Sequence, residues 1–401
     1  SIVGGSGNTA GGNASFIGAG TSNMAGSAGT SNCVVVGGSF NQALGSYSAV
    51  VAGYGNTALG SQSFIGAGQD NITVSNSSFI GAGTKNQAGA SGTLNCVVVG
   101  GFSNRAVGND SAVVAGSGNT ANSTASFIGA GVNNITVSDS SFIGAGSGNK
   151  AGDSGSSNCV VVGGSSNQAI GKNSAIVAGS GNTAGSTASF IGAGTANITL
   201  GASSFIGAGS GNGASGDYSF IGAGTTNMTL GAYSFIGAGS GNTANSNYSA
   251  IVAGKNNSTN SLYDFIGAGS NNITVSDSSF IGAGTNNQAG SAGTLNCVVV
   301  GGSSNQALGT NSAVVAGSGN TANSTASFIG AGVNNITVSD SSFIGAGSGN
   351  KAGDSGSSNC VVVGGSSNQA IGKNSAIVAG SGNTANSNYS AIVAGQNNIT
   401  N

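Results

Sequence analysis

Apolar and polar positions alternate along this chain on a clock. With Ser204 as position 1, "SFIGAGSGNGASGDY" runs to Tyr218, then returns as "SFIGAGTTNMTLGAY" from Ser219 and "SFIGAGSGNTANSNY" from Ser234. The register holds from Ser1, at position 2, to Asn401, at position 12, through about 26 turns of about fifteen residues. Such a period is too short for a helical hairpin repeat of ~34 residues and suits a solenoid rung of short strands and tight corners. β-branched pairs such as those in "AVVAG" and "CVVVGG" favour extended backbone. The expected fold is therefore all-β: a parallel β-solenoid of about 15 residues per turn, forming one repeat domain over residues 1–401, uncapped at both ends.

Four versions of the first six positions recur widely: "SFIGAG", "SAVVAG", "SAIVAG" and "CVVVGG". Phe205 at position 2 goes with Gly207 at position 4, Ala49 with Val51, and Val34 with Val36. Residues two apart on a strand share a face, so this trade of large for small predicts a packed face. The other face shows a weaker trade, Ser48 with Ala52 but Cys33 with Gly37, around a constant Ile or Val at position 3. A solenoid has one inside, and a strand packed on both faces needs a cover. The expected cover is another copy of the chain, in a homo-oligomer of cyclic symmetry. Its apolar stripe in the quoted turns comprises Phe205, Phe220 and Phe235 with Ile206, Ile221 and Ile236. Thirteen of the fifteen Phe fall at position 2, each removing about 2 kcal/mol worth of apolar surface from water when buried.

Glycine at positions 6 and 13 is expected to supply the positive φ of corners, and Asn at position 9 is the other residue that accepts it readily. Stacked in phase, Asn212, Asn227 and Asn242 predict an amide ladder. Five turns are longer by three residues, and each runs directly into a cysteine: Cys33, Cys96, Cys159, Cys297 and Cys360. Turns ~4.8 Å apart set the nearest pair roughly 20 Å apart, which excludes a disulfide within the chain. Three readings of the thiols remain: a small buried residue in a roomier rung, an interchain bridge, or a ring of thiols around a metal. The run of 36 residues from Ser111 returns unchanged from Ser312, a duplication that interchangeable rungs tolerate.

Composition narrows function. With 78 Gly, no Pro, His or Trp, and 4% charged residues, disorder is the first competitor. Abundant Ile, Val and Phe in strict period argue against it. The net charge of -2 comes from charges scattered singly, which predicts no nucleic-acid partner. No apolar run reaches the ~20 residues of a spanning helix, so no membrane insertion is expected within this stretch. Without His, and with nine Asp that do not pair across a cleft, no catalytic residue, metal site or cofactor is expected, and the chain reads as no enzyme. Sequons such as Asn71-Ile72-Thr73 and Asn227-Met228-Thr229 arise from Asn at position 9 meeting Thr at position 11, although a secreted chain offers them to glycosylation.

The phrase S-F-I-G-A-G-x-x-N-x-A-x-G, with Gly209, Asn212, Ala214 and Gly216 in place, resembles the head repeats of YadA-like trimeric autotransporter adhesins and related fifteen-residue-repeat fibre proteins. The resemblance covers essentially the whole chain. It departs in one more residue per turn than the adhesin heads, in the Cys rungs, and in lacking a recognisable neck, stalk or anchor. It implies a left-handed parallel β-roll, three chains around one axis, and display on a cell or virion surface. The expected function is a structural or adhesive extracellular fibre segment, ~120 Å long at 26 rungs, with itself as partner and host glycans or matrix as further contacts. A self-assembling filament built by end-to-end stacking is the alternative. Ice binding is a third reading, for which no regular Thr-x-Thr ladder is present.

Overall fold

The computed structural model describes residues 1–401 as an all-β parallel β-solenoid of about 26 turns, with no helix. The turns fall into two compact units, Ser1–Thr199 and Leu200–Asn401, built from the same rung. In each turn two residues at positions 2 and 3 form one strand, as in Phe205–Ile206, Phe220–Ile221 and Phe235–Ile236. Two at positions 10 and 11 form another, as in Gly213–Ala214, Met228–Thr229 and Thr243–Ala244. Between them a single bridge at position 7 links Ser210 to Thr225 and Thr225 to Ser240. Every pairing is parallel and in phase, Phe205 with Phe220 and Met228 with Thr243. Such short strands cannot stand alone, because each turn gains its ladder only from its neighbours.

The core is narrow and mixed. Positions 3 and 11 point inward, so Ile206, Ile221, Ile236, Ala214, Thr229 and Ala244 are fully buried. Ser or Cys at position 1 and Asn at position 9 join them inside. This separates residues that the sequence suggested as one stripe: Ile206, Ile221 and Ile236 fill their own coil, whereas Phe205, Phe220 and Phe235 point outward. The reason is strand alternation, which sends neighbours to opposite faces.

The corners also differ from expectation. Position 6 is left-handed, as at Gly209 (φ 106°). A Cβ there would sit 2.1 Å from the Gly224 carbonyl oxygen, so only glycine fits. Gly216 at position 13 lies outside the left-handed region; its role is close approach, since a Cβ would fall 2.0 Å from the Gly231 oxygen. Nor is Asn at position 9 left-handed. In the ordinary turns the other left-handed corners are position 8, held by Gly211, Thr226 or Asn256, and position 15, held by Tyr218, Ala125 or Asn173, and each insertion adds two left-handed glycines, Gly26 and Gly29 in the first.

The three-residue insertions form small polar loops. In the first, Thr30 Oγ1 accepts from the Ser27 amide at 2.8 Å and donates to the Ser27 carbonyl at 2.9 Å. The same closure recurs at Ala90/Thr93, Asp153/Ser156, Ser291/Thr294 and Asp354/Ser357. Lys150 and Lys351 add ion pairs of 3.3 Å to Asp153 and Asp354. These exposed pairs are worth little in stability, although each holds its carboxyl below the ordinary range, helped first by a backbone amide.

Candidate functional surface

The interior is tied together along the Asn column. The Asn227 amide N–H donates to Asn212 Oδ1 at 3.0 Å, and its Nδ2 donates to the carbonyls of Ala223 at 3.2 Å and Gly239 at 2.9 Å. Its Oδ1 in turn accepts from Asn242 N–H and Nδ2, both at 3.1 Å. Each side chain thus joins its own corner to the turns before and after it, replacing every bond to water that burial removes. A second ladder, which the sequence reading missed, runs along position 14. Asn247 Oδ1 accepts from Ala232 N–H at 2.8 Å, Asp217 from Ala202 at 2.7 Å and Asp277 from Leu262 at 3.0 Å. The acidic residues that looked scattered are partly corner ties of this kind. Because the sequon asparagines Asn71 and Asn227 are buried to within 1%, the folded coil hides their amides.

The five cysteines are free and fully buried, with Sγ directed into their own coil. Each thiol donates to the position-13 glycine carbonyl at the end of its own turn, Cys33 to Gly45 at 3.2 Å and Cys159 to Gly171 at 3.1 Å. Ser204 at position 1 instead donates to the corner just before it, the Gly201 carbonyl of the preceding turn, at 2.7 Å. An insertion displaces that corner, and the larger sulfur occupies the room left behind, 3.6 Å from Thr93 in the case of Cys96. A thiol enclosed in this way meets a sister's thiol only if its rung opens.

One turn breaks the rule at position 1. Asp264 stands where its neighbours carry Ser and is 1% exposed. Its Oδ2 accepts from the Ser261 amide at 2.9 Å and its Oδ1 from the Ser279 amide at 3.0 Å. Loss of water lifts the pKa from the ordinary 3.8 to about 6, outweighing the two amide bonds that favour the carboxylate, with Asp277 adding a smaller push.

The outer surface carries the most ordered feature. Phe205, Phe220 and Phe235 stack at centroid spacings of 5.0 and 5.2 Å, nearly coplanar. Each ring leans over the glycine two residues on: Phe220 Cε1 lies 3.4 Å from where a Gly222 Cβ would be. The trade between positions 2 and 4 is thereby satisfied within one chain, and the rings stay partly open to solvent, Phe235 at 37%. Beside them, at position 15, runs a column that the sequence reading did not single out. Tyr218, Tyr233, Tyr248 and Tyr263 stack at 4.9, 5.1 and 5.2 Å, about half exposed, each at a left-handed corner. Their spacing of fifteen residues was the available signal.

From Ser15 onward position 2 is only Phe, Val or Ala, and position 4 only Gly or Val. The face formed by these two positions therefore carries no charge or hydrogen-bonding side chain, whereas Arg105 and Lys150 stand at position 10 and Lys255 at position 7. Compared with known protein families and with curated proteins, the chain matches none.

Proposed function

We propose that this chain is a structural and adhesive segment of an extracellular or surface-displayed fibre, working as a homo-oligomer that covers its apolar face. The observation that supports this reading is that face. In both units a solenoid surface remains apolar turn after turn, and exposed patches larger than a few hundred Å² mark interaction sites. The parallel ladder supplies stiffness, since each turn is bonded to its neighbours through backbone and Asn side chains. Adhesion belongs to the remaining sides, where Ser, Thr, Asn and Tyr recur in phase and present many weak sites at once to glycans or matrix. The resemblance to trimeric adhesin heads implies left-handed coils with three chains around an axis.

Electron microscopy of the purified chain tests the proposal together with binding to immobilised glycans and matrix proteins. Particles of fixed length that bind such a surface support it. Open-ended fibres point instead to a self-assembling filament. A dispersed single chain that binds nothing overturns it.

A further inference from the structure

We infer that the tyrosine column at position 15 is a docking site for arginine side chains of a partner protein, one guanidinium seating on the open ring face at each end of the stack. The inference rests on the adhesive reading above and adds the residues and the chemistry of the partner.

The column ends in small residues. Tyr218, Tyr233, Tyr248 and Tyr263 occupy consecutive turns, whereas the turn before carries Ser203 at position 15 and the turn after carries Ser278. Each inner face is covered by the next ring, at 4.9 to 5.2 Å. The outer faces of the end rings have no ring against them. Those two are accordingly the more exposed, Tyr218 at 56% and Tyr263 at 60%, against 50% and 49% for the pair between.

A carboxylate stands beside each open face. Asp217, at position 14, reaches back to the preceding turn, where its Oδ1 accepts from the Ala202 amide at 2.7 Å, next to Ser203. That places its charge on the open side of Tyr218. At the other end Asp277 reaches back to the Leu262 amide at 3.0 Å, next to Tyr263, and lies on the open side of that ring. Between them position 14 holds Ala232, Asn247 and Leu262, so acid occurs only where a face is open. No ion pair holds either carboxylate; Lys150 and Lys351 engage Asp153 and Asp354 instead. The one cation between residues 200 and 295 is Lys255, at position 7.

A ring face with a carboxylate at its edge fits a guanidinium, which stacks by its plane and donates its N–H groups sideways. A neutral sugar leaves both carboxylates without a counter-charge. The two ends are four turns apart, roughly 20 Å at ~4.8 Å per turn, which an extended segment covers in about six residues at ~3.3 Å each. Residues six apart on a strand project from one side. One segment with arginines at that spacing therefore engages both ends, the second contact following intramolecularly from the first. Hydroxyls and carboxylates have no place in a dry contact, so covering positions 2 and 4 leaves this edge to solvent.

The test is binding to the full chain of a labelled peptide with arginines about six residues apart and serine and threonine between, followed by fluorescence anisotropy, against the same peptide with glutamine for arginine. Asp217→Asn with Asp277→Asn removes both charges and keeps the corner ties, as Asn247 does with the Ala232 amide. Tyr218→Ser with Tyr263→Ser keeps the charges and removes the end rings. Tyr389→Ser alters a lone tyrosine beside Asn388 and Lys373, with no acid at position 14. Circular dichroism confirms that all three variants remain folded. The parent and the Tyr389 variant are expected to prefer the arginine peptide on the order of tenfold or more, and both double variants to lose that preference. Equal affinity of the parent for the two peptides overturns the inference, and the adhesive reading stands if the chain still binds immobilised glycans or matrix proteins. A preference that survives either double variant overturns the assignment to the column. Binding of a neutral glycan in place of the peptide, abolished by the tyrosine double variant, overturns arginine as the ligand. A folded parent that binds no peptide, glycan or matrix protein overturns both readings.

Discussion

Asp264 gives a sharp test of how this coil treats charge. Most other turns place a serine at position 1, and Asp264→Ser restores that residue without changing the backbone pattern. The carboxyl of the folded chain has its pKa raised from 3.8 to about 6. Between those values the folded state holds a proton that the unfolded state has lost. The stabilisation linked to that proton is therefore fully present below about pH 3.8, falls as pH rises, and is gone above about 6. A shift of about two units at about 1.4 kcal/mol each makes the parent up to about 3 kcal/mol less stable at pH 7.5 than at pH 3.5 from this group alone. Water reaching the corner lowers that figure. Asp264→Ser removes this component. The exposed carboxyls, Asp153 and Asp354 among them, are common to parent and variant and cancel in the comparison. The assay is denaturant unfolding of both proteins from pH 3.5 to 7.5, followed by hydrogen exchange in the turns around residues 250–280, since a repeat array need not unfold in one step. The variant is expected to gain stability at pH 7.5 and to lose the descending limb between 3.8 and 6. Equal pH slopes for the two proteins would show that Asp264 is solvated, and the account of its burial would fail.

Other predictions follow from single contacts. Asn227→Ala removes two donated bonds and leaves the buried Asn242 amide without its acceptor, so it should cost about 3 kcal/mol or more by denaturant unfolding. Gly216→Ala should destabilise strongly, because its Cβ meets a carbonyl oxygen at 2.0 Å, whereas Gly213→Ala, with no atom nearer than 3.9 Å, should be close to neutral. Equal melting temperatures for these two would contradict the close-approach reading. The five thiols should resist alkylation in the folded chain and react fully in guanidinium; rapid labelling of the native chain would contradict their burial.

The period and the parallel stack were legible because both depend only on phase, and a residue that recurs every fifteen positions must meet itself on the next turn. The corners were less legible because glycine answers two demands with one letter. Gly209 needs a left-handed φ and Gly216 needs the absence of a Cβ, and composition alone does not separate these. Position 15 shows the converse. Tyr218, Ala125 and Asn173 all adopt the same left-handed corner, so the stack imposes a conformation that these residues do not choose. Phe205 and Ile206 looked alike as apolar neighbours, and only their assignment to opposite faces separates core from surface.

That separation bears on what shaped the sequence. Inside the coil, position 3 is Ile or Val in every turn, and each such side chain described above is fully enclosed by its own chain. The core therefore needs nothing from positions 2 and 4, which touch it only through the backbone. An unconstrained outer position on a solenoid drifts toward polar residues, as positions 7, 8 and 14 do here with Ser, Asn, Asp and Lys. Positions 2 and 4 instead hold to three compensating pairs, Phe with Gly, Ala with Val, and Val with Val. The coil itself demands the glycine of the Phe turns, since a Cβ at Gly207 would lie 2.3 Å from the Gly222 carbonyl oxygen, but nothing inside the chain demands that both positions stay free of polar side chains. That exclusion of polar groups follows when a dry neighbour rests on the face. If that neighbour were absent, substituting Gln for Phe220 would leave solubility and mass unchanged; if it is present, the same substitution should loosen the assembly without disturbing the fold.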